Sequence, residues 1–249
     1  PNLRACLTLV AAVLLAACAT PAPPSVAPAR AYSSNERSGD LSVIDVASLE
    51  VVGRLAIGGK PRGMAAIGRW LYVTDLPSNA LLVVDRASGA IDGRVPLGES
   101  PEAVYASPDG KLLAIAVEGD NTVVFVDPVA REKRFAVKAR GENPEHAVFS
   151  PDGRFVYVSA ENAEQVDVID VAARAVVGAI PVGKRPRGIG FTPDGTKAYV
   201  ACELADRVWV IDARTHAPLR PIAAGVRVNG IVVAPDGRTV YASNGGDGT

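Results

Sequence analysis

The chain is poor in the side chains that do most enzymatic chemistry. Its 249 residues include two histidines, one methionine and three cysteines, and aromatic residues make up only 5%. Two histidines are too few for a multi-histidine metal centre, and no HExxH, CxxC or GxSxG pattern is present, so no catalytic constellation emerges. Basic and acidic residues nearly cancel, 26 against 27, which removes the concentrated basic surface that nucleic-acid binding needs. The glycine-rich end, Asn244-Gly245-Gly246-Asp247-Gly248, has no helix pattern after it and reads as a hairpin loop, not a phosphate cradle. No metal or cofactor site is expected.

Long hydrophobic runs are also scarce. The one at the N-terminus, Ala5 to Ala17 after Arg4, is too short to span a bilayer as a helix and reads as a secretory signal. It ends in Leu15-Ala16-Ala17-Cys18, which resembles the lipobox of bacterial lipoproteins. That resemblance implies a signal peptide and lipobox over residues 1–18 and a lipid on Cys18. With Ala19 rather than aspartate next, it also implies sorting to the outer membrane. The alternative is ordinary cleavage after Ala17-Cys18-Ala19, which gives a soluble periplasmic protein. Residues 19–30, rich in proline and alanine, cannot build a core and are expected to form an extended tether. Cys6 leaves with the signal and Cys18 carries lipid, so Cys202 is the only thiol and no disulfide is expected in the mature domain.

What the chain does have is a period. Pro-Asp-Gly recurs with its aspartate at Asp109, Asp152, Asp194 and Asp236, and apolar runs end at Asp45, Asp85, Asp127, Asp170 and Asp212. A unit of about forty-two residues built from short β-rich runs matches four strands and four turns. Small and β-branched residues supply most of the 48% hydrophobic fraction, as expected where thin layers share the burial. In the unit from Pro186 to Gly225, strands are expected at Gly188–Phe191, Lys197–Ala201, Arg207–Ile211 and Leu219–Ala223. Thr192-Pro193-Asp194-Gly195 turns between the first two, because proline presets φ, aspartate bonds its own backbone and glycine accepts positive φ. The second unit uses the tighter turn Ile67-Gly68-Arg69. The fold class is therefore all-β, a β-propeller of four-stranded antiparallel blades over residues 31–249.

Tyr72-Val73-Thr74-Asp75, Tyr157-Val158-Ser159, Tyr199-Val200-Ala201 and Tyr32-Ser33-Ser34-Asn35 resemble the bacterial YVTN-type propeller repeat, with Ala114 replacing the tyrosine in the third unit. The resemblance implies seven blades when complete, which needs roughly 290 residues at this period. The first unit starts at a second strand and the last stops after one, so about five and a half blades are expected, C-terminally incomplete. The resemblance also implies a bacterial surface or periplasmic propeller, some members being lipoproteins or associated with pyrroloquinoline-quinone-dependent catabolism.

In an up-and-down blade, the loops before the first strand and after the second share one face, and the aspartate turns share the other, where they serve as turn caps. The first face carries Arg62, Glu102, Glu145, Arg187 and Asn229 just after the proline, or Val228, that leads each innermost strand. Glu36, Asp75, Glu118, Glu161 and Glu203 follow the second strands. These residues read as two charged rings around the channel mouth, suited either to a polar ligand or a partner's loop, or to charge pairing between blades. His146 stands where other units have Gly63, Ala103, Gly188 and Gly230. It is a channel histidine fit to ligate a metal or haem or to shuttle a proton, or simply to fill space. His216 is expected at the surface. Arg187 and His146, as loop tips, are expected to contribute little stability.

The reading that follows is a non-catalytic, membrane-tethered, envelope-facing propeller binding a small polar ligand or a protein at the channel mouth, with no nucleic acid. The alternatives are an accessory propeller of a quinoprotein dehydrogenase pathway, suggested by the resemblance, and a lactonase-like propeller enzyme using Glu, Arg and His at the mouth.

Overall fold

The computed structural model describes residues 29–249. The signal peptide, Cys18 and the tether up to residue 28 lie outside the described residues. Six antiparallel sheets follow one another along the chain: one of three strands, four of four strands and one of two. In the fifth, the strands are Pro186–Phe191, Lys197–Cys202, Arg207–Asp212 and Ala217–Ala223, hydrogen-bonded in that order. They lie within two residues of the spans expected from the sequence. The first sheet begins at Arg30–Asn35, with no strand on the axial side of it among the described residues, and the last consists of Val228–Val233 and Val240–Asn244. Each four-stranded sheet is one blade of a β-propeller.

The second and third strands of a blade are apolar on both faces because each blade is covered by its two neighbours. Leu81, Leu82, Val83 and Val84 are all buried, as are Leu113 to Val117. Five buried clusters result, one for each seam between consecutive sheets. Outermost strands alternate instead, and only one residue of Ala175–Pro181 is fully buried. Edge exposure of that kind is what a strand facing solvent on one side requires.

Three recurring hydrogen-bond devices explain the repeated letters. The innermost strands bulge after their leading residue, which frees the backbone N–H two positions on. Gly63 N donates to Thr74 Oγ1 at 2.8 Å, His146 N to Ser159 Oγ at 3.1 Å and Gly230 N to Ser243 Oγ at 2.9 Å. The same kind of hydroxyl reaches the next blade: Thr74 donates to Glu102 O at 2.6 Å and Ser34 to Arg62 O at 2.8 Å. One side chain thus satisfies an orphan donor and ties two blades together. At Gly63 the glycine is a spatial requirement, since a Cβ there would stand 2.6 Å from Ala103 Cα.

Tyrosine, the first letter of the repeat, makes the second tie. Tyr72 donates its O–H to Pro128 O at 2.9 Å, and Tyr157 shares a 2.7 Å hydrogen bond with His216 Nδ1. His216 is therefore not a surface residue as expected: it is half-buried, edge-on to Phe155 at 4.7 Å. The aspartate turns supply the third device. Asp45, Asp85, Asp127 and Asp212 each accept two backbone N–H groups through Oδ1. Asp152 accepts Arg154 N and the Ser150 hydroxyl, and Asp194 accepts Thr196 N and the Thr192 hydroxyl. These carboxylates are occupied in holding their own turns.

Candidate functional site

The opposite face gathers the remaining buried charge. The leading residues put Arg62, Glu102, Glu145, Arg187 and Asn229 in register at the axial end of five consecutive innermost strands. Strand pairing matches Pro61 with Asp75, Pro101 with Val117, Pro144 with Ala160 and Pro186 with Cys202. Asp75 is therefore one residue out of step with Glu118, Glu161 and Glu203, and it does not join their ring. It is buried as a loop cap, accepting Lys60 N at 2.8 Å and the Ser78 hydroxyl. Glu36 and Asn229 are exposed.

The two rings merge into ion pairs across the blade seams. Arg62 Nε meets Glu102 Oε2 at 2.8 Å. Arg187 is a hub: Nη1 meets Glu145 Oε1 at 2.6 Å, Nε meets Glu203 Oε2 at 3.0 Å, and Glu161 Oε1 lies against Nη1 without the alignment of a hydrogen bond. Its side chain is only 15% exposed, so it is no loop tip, contrary to the sequence expectation. Pairing between blades, the second of the two sequence readings for these rings, accounts for much of the geometry.

Residues not singled out from the sequence complete the network. Arg185 lies 3.5 Å from Glu161 and 3.3 Å from Glu203, and Arg227 lies 2.9 Å from Glu203. Asn143 donates to Glu118 Oε1 at 2.8 Å and Ser100 to Glu118 Oε2 at 3.2 Å. Ser100, Asn143, Arg185 and Arg227 all precede the leading residue of a blade, and all have φ between 55° and 58°. The signal was available in the repeat alignment: this position is polar in five units, as Lys60, Ser100, Asn143, Arg185 and Arg227.

Compensation is uneven. Burial, then the nearby Glu145 charge, pushes the Glu102 carboxyl up to about 8 despite Arg62. Burial likewise raises Glu145 against the pull of Arg187. Burial also opposes ionisation of Glu203 and Arg187, but there the guanidinium and carboxylates win, lowering the acid and raising the base. His146 is held down to about 4 by burial and by Arg187, and burial lifts the Tyr105 phenol to about 12. Both are neutral at pH 7, joined by a 2.7 Å hydrogen bond at His146 Nδ1. With the phenol donating, the ring proton sits on Nε2.

Arg62, Glu102, Glu145 and His146 line one pocket of about 310 Å³, together with Ser34, Glu36 and Gly63. His146 also borders a second, more apolar recess of about 410 Å³ beside Tyr105, Gly188, Gly230 and Ile231. A larger recess of about 470 Å³ lies on the turn face between blades four and five, but its Asp152 and Asp194 are the turn caps described above. Unlike the turn-face recess, the mouth pocket has titratable groups, Glu102, Glu145 and His146 among them, that are not turn caps. Among the described residues, no group of three or more His, Cys, Asp or Glu side chains is arranged to hold a metal ion.

No curated protein matches the chain. Solved structures do, at identities that speak for fold alone. A hydrazine synthase chain from Kuenenia stuttgartiensis is 18% identical with a TM-score of 0.63, covering 86% of this chain and 88% of that one. A functionally unknown protein from Desulfotomaculum acetoxidans is 17% identical with a TM-score of 0.76, covering 86% and 72%. A chain of a mitotic checkpoint complex is 16% identical with a TM-score of 0.75, covering 84% and 68%. The profile of the YNCE-like beta-propeller family matches residues 66–236, most of the repeat region, and the chain belongs to that family.

Proposed function

We propose that this protein is a non-catalytic propeller scaffold that binds a small polar ligand, or a partner's polar loop, at the channel mouth. The observation that carries this reading is the convergence of Arg62, Glu102, Glu145 and His146 on one open pocket, on the face whose charges are not consumed by turns. A pocket with a few convergent polar groups and perturbed titrations is where binding is expected first. The enzymatic alternative has less support, because Arg187 is engaged on three carboxylates and His146 Nδ1 on Tyr105. The quinoprotein accessory role rests on the YVTN-type resemblance.

A thermal-shift screen of polar metabolites against the chain, followed by titration of the hits, tests the assignment. His146→Ala and Glu145→Gln are expected to weaken a true hit by about tenfold or more, while Asp152→Asn on the turn face leaves affinity unchanged. Hits sensitive to Asp152 and indifferent to the mouth would move the functional face to the other side.

The same reading places the propeller on the envelope, anchored through Cys18, with a soluble periplasmic form as the alternative. Among the described residues no helix is long and apolar enough to cross a membrane. Metabolic labelling with a fatty acid is expected to mark the wild type and not Cys18→Ser. Equal label in both would end the lipid-anchor proposal.

A further inference from the structure

Two different acceptors tie the blades together on the turn face. Between blades two and three, Tyr72 donates to Pro128 O at 2.9 Å, a backbone carbonyl that acid does not protonate. Between blades four and five, Tyr157 in the equivalent position meets His216 Nδ1 at 2.7 Å. The Tyr157 side chain is fully buried, and His216 is its one hydrogen-bond partner among the described residues. The phenol therefore donates, Nδ1 accepts, and the proton of the neutral ring sits on Nε2.

The place that His216 fills is set by the repeat. The other units put Leu49, Gly89, Arg131 and Arg174 there, and with His216 all have φ between 53° and 75°. Arg131 and Arg174 reach back over Trp70 and Phe135 of the preceding blade at 4.8 Å, as His216 reaches Phe155 at 4.7 Å. Where those units carry a permanent cation, this seam carries a side chain that titrates near neutral pH.

The charges around the ring are Arg154 and Asp170 of the fourth blade, 3.8 Å apart, and Asp212 and Arg214 of its own turn. Asp212 accepts Arg214 N and Thr215 N, which holds its carboxyl below the ordinary range. Across the recess, the Ser150 and Thr192 hydroxyls do the same for Asp152 and Asp194. Burial, then Arg154, lowers His216 below the ordinary 6.5 against the pull of Asp212. Between pH 7.5 and pH 5, His216 is thus the group at this seam that changes charge.

A second ring proton cannot be accommodated in the same bond. The imidazolium donates from both nitrogens, so Nδ1–H turns on the phenol oxygen. The Tyr157 O–H is then left in the interior with no acceptor among the described residues, and it carries its full desolvation penalty.

We propose that the hydrogen bond between Tyr157 and His216 is an acid-released latch: a proton on His216 Nδ1 frees the turn side of the seam between blades four and five and widens the recess of about 470 Å³ that Phe155, Tyr157 and Arg214 line. Arg187 and Glu145 cross the same seam on the opposite face and are no part of the latch.

Hydrogen exchange of the chain between pH 7.5 and pH 5 tests this, read as protection factors so that the intrinsic pH dependence of exchange divides out. Residues 154–158 and 212–217 should lose about tenfold or more in protection at pH 5. Residues 70–74 and 126–130, on the two sides of the Tyr72 tie, should keep theirs. His216→Gln retains an acceptor that acid does not protonate, and its seam should be equally protected at both pH values. Tyr157→Phe removes the donor that favours the neutral ring, so the His216 titration followed by NMR should move up toward 6.5. Thermal unfolding reports that both variants are folded. The wild type alone supplies a further check, because His216 should be the Nε2–H tautomer at pH 7.5. An Nδ1–H tautomer there, equal protection of the wild-type seam at both pH values, a loss spread evenly over both seams, or an acid response that survives in His216→Gln overturns the proposal.

Discussion

Replacing Arg187 by alanine is expected to destabilise the protein by about 3–5 kcal/mol at neutral pH, the cost of leaving buried carboxylates without their counter-charge. Three of them depend on this guanidinium: Glu145, Glu161 and Glu203, each no more than 12% exposed through its side chain. The nearby Arg185 and Arg227 reach Glu161 and Glu203, but neither contacts Glu145. Arg227→Ala is the natural comparison, because that side chain is half in solvent and its pair with Glu203 is worth about 1 kcal/mol or less. The penalty in Arg187→Ala should shrink in acid. Glu203 titrates below the ordinary range in the native protein, so the stability it draws from Arg187 is present at neutral pH and fades only as pH falls through that lowered value. Urea unfolding of both variants at pH 7 and at pH 3 or below measures this. Equal losses for the two arginines, or a loss indifferent to pH, would show that Arg187 is not the hub.

The blades were legible in the sequence because their turn chemistry repeats. Pro-Asp-Gly and the apolar run ending in aspartate mark backbone positions that each blade must satisfy separately, and interactions repeated four and five times leave a period. Pairing between blades was legible as one of two readings, but which charges pair was not, because the pairs cross blade seams: Arg187 on the innermost strand of the fifth blade meets Glu145 on that of the fourth, forty-two residues away. Register was the finer loss. Asp75 looks like a ring carboxylate by its place after Tyr-Val-Thr, but pairing opposite Pro61 puts it where Val117, Ala160 and Cys202 stand. One residue of offset turns a mouth carboxylate into a cap for Lys60 N. His216 was misplaced for a related reason, since its own turn looks solvent-facing and its partner Tyr157 comes from the preceding blade.

Glu102→Gln should act in the opposite direction to Arg187→Ala and stabilise the fold, by about 4 kcal/mol at pH 8. The native carboxyl is held at about 8, against 4.5 for an ordinary glutamate, because burial and Glu145 together outweigh the 2.8 Å pair with Arg62. A group that binds its proton more tightly when folded favours the native state fully below pH 4.5. That advantage is lost steadily as pH rises through the native value, as the unfolded chain gives up the proton first. Glutamine stays neutral at every pH, and it keeps an oxygen for Arg62, which is itself a third exposed and tolerates the change. The stability difference between variant and wild type should therefore be near zero at pH 4, grow between pH 5 and 8, and level off above. Urea unfolding across that range reads it directly, and a difference that stays constant with pH would remove Glu102 as its source. A residue that costs the fold stability at working pH while lining its open mouth is the pattern of a binding group retained against the interest of the fold.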